Sequence, residues 1–330
     1  MKFSLIIPVY NRPEEADELL ASLATQTRGG FEVIVVEDGS ADKSDIVVSN
    51  YREAGLDVRY FFKPNSGPGP SRNYGAERSN GEYLIFLDSD CIIPPGYIAE
   101  LERELADSPT DAFGGPDRAD DSFTTVQKAI DYAMTSFLTT GGIRGGKRKM
   151  DVFYPRSFNM GVRREVFAAL GGFAPIRFGE DIDLSLRIVR GGYTSRLFPG
   201  AWVCHKRRTD FRKFFRQVYN FGMARVATAK RHPGSLKAVH ALPAVFTLGC
   251  AAIVIASAFL PALLLLPVAY ALAVLADASV RTKSLKVGAV AVAASFVQLT
   301  GYGLGFLAGI WKIYILRREK YFAFSKTFYK

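Results

Sequence analysis

Cysteine is scarce. Cys91, Cys204 and Cys250 are the only three in 330 residues, an odd number with no paired spacing. That argues against a disulfide scaffold and against a zinc knuckle, and it fits a reducing compartment. No G-x-G-x-x-G and no Walker lysine motif occurs, so the usual dinucleotide and P-loop devices are missing. The opening residues, Met1-Lys2-Phe3-Ser4-Leu5-Ile6-Ile7-Pro8, hold too short an apolar core for a signal peptide and read better as a first strand. The bulk of the chain is therefore expected in the cytoplasm. What is plentiful is apolar surface and positive charge. Hydrophobic residues make up 48%, mean hydropathy is +0.08 and the formal net charge is +10, with most of the apolar excess after His240. A basic chain of this kind seeks nucleic acid, anionic lipid or phosphorylated substrates.

The first 106 residues alternate strand-like and helix-like stretches. Residues 3–9, 31–36, 58–62 and 83–88 read as short apolar strands. Between and after them lie helix-sized segments, the first with Ala16, Leu19, Leu20 and Leu23 on one face and Asn11 placed to cap it. This rhythm predicts an α/β fold, a parallel sheet with helices on both faces. In such sheets ligands bind beyond the carboxyl ends of the strands. Strand one ends near Pro8 and Tyr10, strand two at Glu37-Asp38, and strand four at Asp88-Ser89-Asp90. These ends are expected to converge. Asp38 there either accepts from a nucleobase N–H or a ribose hydroxyl, or caps the next helix. Asp88 and Asp90, one residue apart, suit a divalent cation shared with a phosphate.

Four stretches carry a resemblance: Pro8-Val9-Tyr10-Asn11, Glu37-Asp38-Gly39-Ser40, Ser71-Arg72-Asn73-x-Gly75 and Asp88-Ser89-Asp90. In order and spacing they resemble the family 2 glycosyltransferases of GT-A fold, over roughly the first 230 residues. The resemblance implies a Rossmann-like, mostly parallel sheet and an inverting transferase that uses a nucleotide-diphospho-sugar with Mg²⁺ or Mn²⁺. Position by position, Pro8, Tyr10 and Asp38 would frame the base and ribose. Arg72, with Asn73 beside it, would lie near the base or diphosphate. Asp88, Ser89 and Asp90 would form the DxD motif, with Asp88 and Asp90 on the metal. His205, at the end of Trp202-Val203-Cys204-His205, matches a third metal ligand of many relatives, although a lone histidine is also a common structural residue. Cys204 would face the opposite side and enter the core.

Phe178-Gly179-Glu180-Asp181-Ile182-Asp183 opens a helix with acids where the helix dipole favours them. Inverting transfer is a single displacement at the anomeric carbon. The acceptor hydroxyl has a high pKa, so a positioned carboxylate must take its proton. The departing nucleoside diphosphate carries charge that a cation neutralises. By the resemblance Asp181 is the base and Glu180 orients the acceptor or Asp181, with the reverse assignment open. Residues 139–149, with four glycines and four basic residues, read as a mobile lid, an acceptor clamp or a plain connection.

A dense basic run, 206–237, interleaves cations with Phe211, Phe214, Phe215, Tyr219 and Phe221. Such a pattern suits nucleic acid or an amphipathic helix on anionic lipid. The following segments favour lipid. Residues 241–260 carry no charge, 261–276 form a second apolar run, and 287–316 contain only Lys312. We therefore expect a cytoplasmic catalytic domain over 1–235, with 206–235 as a basic interfacial helix. A membrane domain of two or three helices and a basic, aromatic tail follows over 236–330. Arg207, Arg208 and Arg225 are candidates for the diphosphate. Positive charge at 206–237 and at Arg281, Lys283 and Lys286 puts the catalytic domain on the cytoplasmic side of a membrane, though three spans would leave the basic tail outside. Glycines 301, 303, 305 and 309 suit close helix packing. Expected partners are a nucleotide-sugar donor, a lipid-linked or saccharide acceptor and membrane lipid, with no nucleic acid. A processive synthase is disfavoured because its Gln-x-x-Arg-Trp motif is missing after Gln217. Transfer to polyprenyl phosphate, or a non-catalytic binder of the same fold, are the alternatives.

Overall fold

The computed structural model describes residues 2–118, 123–141, 153–176 and 178–317. In chain order come β1 (Phe3–Val9), α1 (Pro13–Ala24), β2 (Phe31–Asp38), α2 (Asp45–Glu53), β3 (Val58–Lys63), α3 (Pro68–Glu77), β4 (Tyr83–Leu87), β5 (Cys91–Ile92) and α4 (Tyr97–Asp107). Then follow β6 (Ala112–Gly114), β7 (Asp117–Arg118), α5 (Thr125–Thr135), α6 (Phe137–Thr140), β8 (Asn159–Arg163), α7 (Arg164–Ala169), α8 (Glu180–Arg190), β9 (Ser195–Leu197) and β10 (Val203–His205). The last helices are α9 (Phe211–Arg231), α10 (Leu242–Ala256), α11 (Leu265–Thr282) and α12 (Leu285–Ile310). Most of the 139–149 segment, and the basic tail beyond residue 317, lie outside the described residues.

Two compact units emerge. One comprises Met1–Asp120 with Lys147–Lys206, the other Asp121–Gly146 with Arg207–Lys330. The first is a seven-stranded sheet in the order β3-β2-β1-β4-β8-β6-β9. Strands β1, β2, β3 and β4 run parallel, and β8 is antiparallel to both β4 and β6. The period-two alternation of β1 explains why the sheet is covered on both faces. Leu5, Ile7 and Val9 pack with Leu19, Leu20 and Leu23 of α1 on one side. Ile6 packs with Ile34, Val36, Ala76 and Phe86 on the other. Burying a side chain of this size contributes about 1.5–3 kcal/mol. A second, three-stranded sheet, β5-β10-β7, lies beside the end of β4 in sequence and carries His205 opposite Cys91.

Asn11 does not cap α1. Its φ is 51°, in the left-handed region, and its Oδ1 accepts from the backbone N–H groups of Ala41 and Asp42 at 2.8 and 3.1 Å. Asparagine tolerates that conformation, so it ties the β1 exit to the β2 exit instead. Gly39 makes the same junction tight: φ is +76°, and an added Cβ would sit 2.6 Å from the Asn65 amide nitrogen.

The second unit is helical. Gly301, Gly305 and Gly309 of α12 face Val218, Tyr219 and Val226 of α9, while Gly303 faces Pro243 and Thr247 of α10. A Cβ on Gly305 would stand 1.9 Å from the Tyr219 carbonyl oxygen, and one on Gly222 would stand 2.1 Å from that of Tyr302. The backbones meet because these residues have no side chain. Among the described residues, three stretches are long and apolar enough to cross a bilayer: Ala238–Ala256, Pro261–Thr282 and Leu285–Ile315. Two boundaries differ from those expected of the sequence. The α9 helix groups with the C-terminal helices, so the division falls after residue 206 rather than 235. The α5 helix joins the same unit, because Ala129, Ile130 and Ala133 pack with Val274, Ala278, Ala291 and Ala294. Tyr132 adds a hydrogen bond from its hydroxyl to Asp277 Oδ2 at 2.6 Å.

Candidate functional site

Strands β1, β2 and β4 run parallel, so their carboxyl ends share one edge of the sheet. Pro8 and Tyr10 sit half-buried at the first exit. Asp38 is buried at the second. Its carboxylate accepts from the backbone N–H groups of Ser66 and Gly67 at 2.9 and 2.8 Å and from Lys63 Nζ. Asp38 thus moulds the loop from Lys63 to Gly67 that leads into α3. Asp38 does not cap α2; it is Glu37 that accepts from the Ser44 N–H at 2.8 Å just before that helix.

Beyond β4 lie Asp88, Ser89 and Asp90. Asp88 is about one-third exposed, whereas Ser89 and Asp90 are buried. His205 Nε2 stands 3.1 Å from Asp90 Oδ1 and 4.0 Å from Asp88 Oδ2. Donors at right angles around a six-coordinate ion with bonds near 2.1 Å are about 3 Å apart. The Asp90 carboxylate and the His205 imidazole at 3.1 Å fit two adjacent positions of a small divalent cation such as Mg²⁺ or Mn²⁺, while Asp88, 4.0 Å from the imidazole, would have to move closer to join them. The His205 ring is stacked on Phe158, centroids 5.1 Å apart with planes 15° apart. Arg12 Nη1 adds positive charge 3.4 Å from Asp90 Oδ2. Next to Asp90, Cys91 brings a thiol to the same corner, so that the ligating atoms of Asp90, Cys91 and His205 lie within 4.8 Å of one another. Burial and the neighbouring Asp90 and Asp88 push that thiol well above its usual range.

Arg72 is the hub. It projects from α3 and is 3% exposed. Its Nη2 donates to Asp88 Oδ1 at 2.6 Å and its Nη1 to Glu180 Oε1 at 2.9 Å, with the guanidinium 5.4 Å from the Phe173 ring centre. One buried cation therefore links the acids after β4 to the first turn of α8. Asn73 uses both ends of its amide on one residue. Its Nδ2 donates to the Phe173 carbonyl at 2.8 Å and its Oδ1 accepts from the Phe173 N–H at 2.9 Å. That pair holds the Gly172-Phe173 turn that follows α7.

Gly179, with φ of 77°, ends the preceding loop and starts α8 at Glu180. Glu180 is buried, and its carboxyl is pushed up to about 7 by burial and by the adjacent Asp181, against the pull of Arg72. Asp181 is buried and bonded to Arg156, whose Nε lies 2.8 Å from Asp181 Oδ2. Asp183 pairs instead with Arg187 at 2.9 Å along the helix. Among the residues that sequence reasoning passed over are Arg12, Arg156, Phe158 and Phe173. None lies in a spaced motif. Arg156 follows a basic run and precedes Asn159 with no periodicity to mark it, and only its approach to Asp181 gives it meaning. The basic candidates of the helical unit have partners of their own. Arg207 is buried against Asp131 at 2.8 Å, and Arg225 Nη2 donates to the Ser235 carbonyl at 2.9 Å, while Arg208 is half-buried.

Comparison with known proteins follows the same outline. Residues 4–171 match the family model described as Glycosyl transferase family 2. An uncharacterized glycosyltransferase of Rickettsia felis is 43% identical over 104 residues, 32% of this chain and 17% of that protein. The pre-mycofactocin glycosyltransferase of Mycobacterium tuberculosis H37Rv is 28% identical over 238 residues, 70% of this chain and 48% of that protein. The chain thus spans less than half the length of these relatives. Among solved structures, the mannosyltransferase PcManGT from Pyrobaculum calidifontis, in complex with GDP-Man and Mn²⁺, superposes with a TM-score of 0.65 at 21% identity, covering 89% of this chain and 86% of that one.

Proposed function

The chain belongs to glycosyl transferase family 2, and from that premise we propose that it is a membrane-anchored inverting glycosyltransferase. It moves one sugar from a nucleotide-diphospho-sugar to a hydroxyl of a lipid-linked or glycan acceptor. The observation that carries this reading is the buried Arg72 bridge. It brings the Asp88 carboxylate and the Glu180 turn of α8 to a single guanidinium, within 2.6 and 2.9 Å. An acid pair for a cation and a separate acid for proton transfer are what the reaction demands at one place.

In this mechanism Pro8, Tyr10 and the loop held by Asp38 frame the base and ribose of the donor. Asp88, Asp90 and His205 would hold Mg²⁺ or Mn²⁺, which when bound neutralises charge developing on the nucleoside diphosphate. Asp181 takes the proton of the acceptor hydroxyl as the new oxygen–carbon bond forms and the bond from carbon to the diphosphate breaks. The Asp181 carboxylate is the natural base of the two. Glu180, with its carboxyl raised to about 7, is partly protonated near neutrality and tied to Arg72. Arg156 orients Asp181 and must yield part of its hold when the acceptor arrives. The three apolar helices, together with the basic stretches at 206–237 and 281–286, support anchoring in a cytoplasmic membrane with the catalytic unit on the cytoplasmic side. Assembly of a surface polysaccharide or glycolipid is the setting we favour.

A panel of nucleotide-sugars with Mn²⁺ and detergent-solubilised membrane lipids, read by mass-detected product, tests the proposal. Wild type should transfer or hydrolyse at least one donor, and Asp181→Asn should lower that rate by about 10²–10⁴-fold while keeping donor affinity. Equal rates for the two proteins would remove Asp181 from the chemistry. Nucleotide binding without any turnover would leave a binder.

A further inference from the structure

The corner around Asp90 carries a donor that the proposed reaction does not use. Cys91 opens β5, and its partner across the antiparallel pair is His205 of β10. Directly opposed residues of an antiparallel pair project to the same face. Phe158 fixes both groups, since its ring stacks on the imidazole and its carbonyl oxygen accepts from the Cys91 thiol at 3.6 Å. The three ligating atoms of Asp90, Cys91 and His205 lie within 4.8 Å of one another. A tetrahedral zinc ion, with sulfur at about 2.3 Å and nitrogen or oxygen at about 2.0–2.1 Å, sets its donors about 3.5 Å apart. Side-chain rotation of about 1 Å closes that gap.

We propose that Asp90, Cys91 and His205 form a thiophilic metal site that takes Zn²⁺ or Cd²⁺ in competition with the hard cation of sugar transfer. The inference rests on the reading of Asp88, Asp90 and His205 as the catalytic metal set. The two sets share Asp90 and His205, so one ion excludes the other. Mn²⁺ completes its sphere with the second carboxylate, Asp88, and a softer ion completes it with the thiolate. Binding is an exchange without redox change: the sulfur–hydrogen bond breaks, a sulfur–metal bond forms, and the proton passes to buffer. A softer ion held this way leaves Asp88 with Arg72 and outside the coordination sphere. Zinc then acts as an inhibitor of the transferase, and Cys91 sets which metals the site accepts.

Cadmium titration of the full-length, metal-stripped chain in detergent tests this, followed by cadmium–thiolate absorption in the near ultraviolet. Wild type should develop the band with a single Cd²⁺, and saturating Mn²⁺ should raise the Cd²⁺ concentration needed to develop it. A variant carrying Cys204→Ser and Cys250→Ser should keep the band, and Cys91→Ser should lose it. His205→Gln, which leaves the thiol in place, should weaken Cd²⁺ binding by about tenfold or more. If Cys91→Ser does not fold, the Mn²⁺ competition and the His205 variant decide. A band that survives Cys91→Ser, or that ignores Mn²⁺, overturns the proposal. Mn²⁺-dependent transfer by wild type, assayed separately, reports on the catalytic reading. Transfer without a cadmium band retires the soft site alone, whereas a band without Mn²⁺-dependent transfer retires the catalytic metal set.

Discussion

Arg72 is a full positive charge at 3% exposure, and it survives there because two carboxylates surround it. Removing one partner of such a group leaves the others uncompensated, which costs about 3–5 kcal/mol. Arg72→Met should therefore lower stability by about 3 kcal/mol, measured by denaturant or thermal melting in detergent, and should abolish transfer along with it. A variant as stable as wild type would mean that Asp88 and Glu180 are neutral or hydrated. Glu180 gives a second, pH-dependent expectation. Its carboxyl is raised in the folded chain from 4.5 to about 7, so the fold favours the protonated form. That stabilisation is complete below the unfolded value and disappears as pH rises through the folded one. The melting temperature of Glu180→Gln relative to wild type should thus become more favourable between pH 5 and pH 8. A flat difference would show that Glu180 is already ionised at pH 5. At this scale Asp88 and Asp90 stood out in the sequence as paired acids at a strand end, and Glu180 and Asp181 through the resemblance, since acids at a helix start are also explained by the dipole. The sequence could not mark Arg156 or the double-ended bond of Asn73. Their roles exist only through residues 25 and 100 positions away.

At the scale of elements, each unit shows one local device. The α8 helix begins at its acids, so Glu180 and Asp181 sit together in its first turn. The α9 and α12 helices approach through glycine, close enough that any side chain must push them apart. Gly305→Ala should cost about 2 kcal/mol of stability through overpacking against the Tyr219 carbonyl. Gly249→Ala on α10, where an added Cβ meets nothing within 4 Å, should be neutral or slightly stabilising. Thermal melting of the two variants side by side checks the contrast, and equal shifts would refute the packing argument. The glycine spacing on α12 was legible in the sequence, and so was its purpose. Its partner helix was not, because a small-residue stripe says how close a neighbour comes without saying which neighbour.

For the whole molecule, the described residues of the helical unit contain three stretches of membrane-spanning length, with mean hydropathy of 2.1, 2.1 and 1.5. A chain anchored by spans stays with the bilayer when charge is neutralised, whereas one held by a basic face alone is released. The full-length chain should remain in the membrane pellet through both high salt and alkaline carbonate. Release by either would reduce the apolar helices to a soluble bundle. The basic stretches would then be the sole tie to lipid.

The sequence by itself determined the alternation of strand and helix, the strand ends that carry acids, and the apolar length of the last hundred residues. Each of these is a local property, written in periodicity, turn chemistry and composition over a few neighbours. Only the tertiary structure decided that α5, although flanked in sequence by strands of the first unit, packs among the helices of the second. An amphipathic stretch of that length reads the same whichever apolar surface receives it. The same holds for Arg72: its charge was visible, but the choice of Asp88 and Glu180 as its partners depended on three elements meeting. Pairing across long separations is fixed by how the whole chain closes, and no single stretch encodes it.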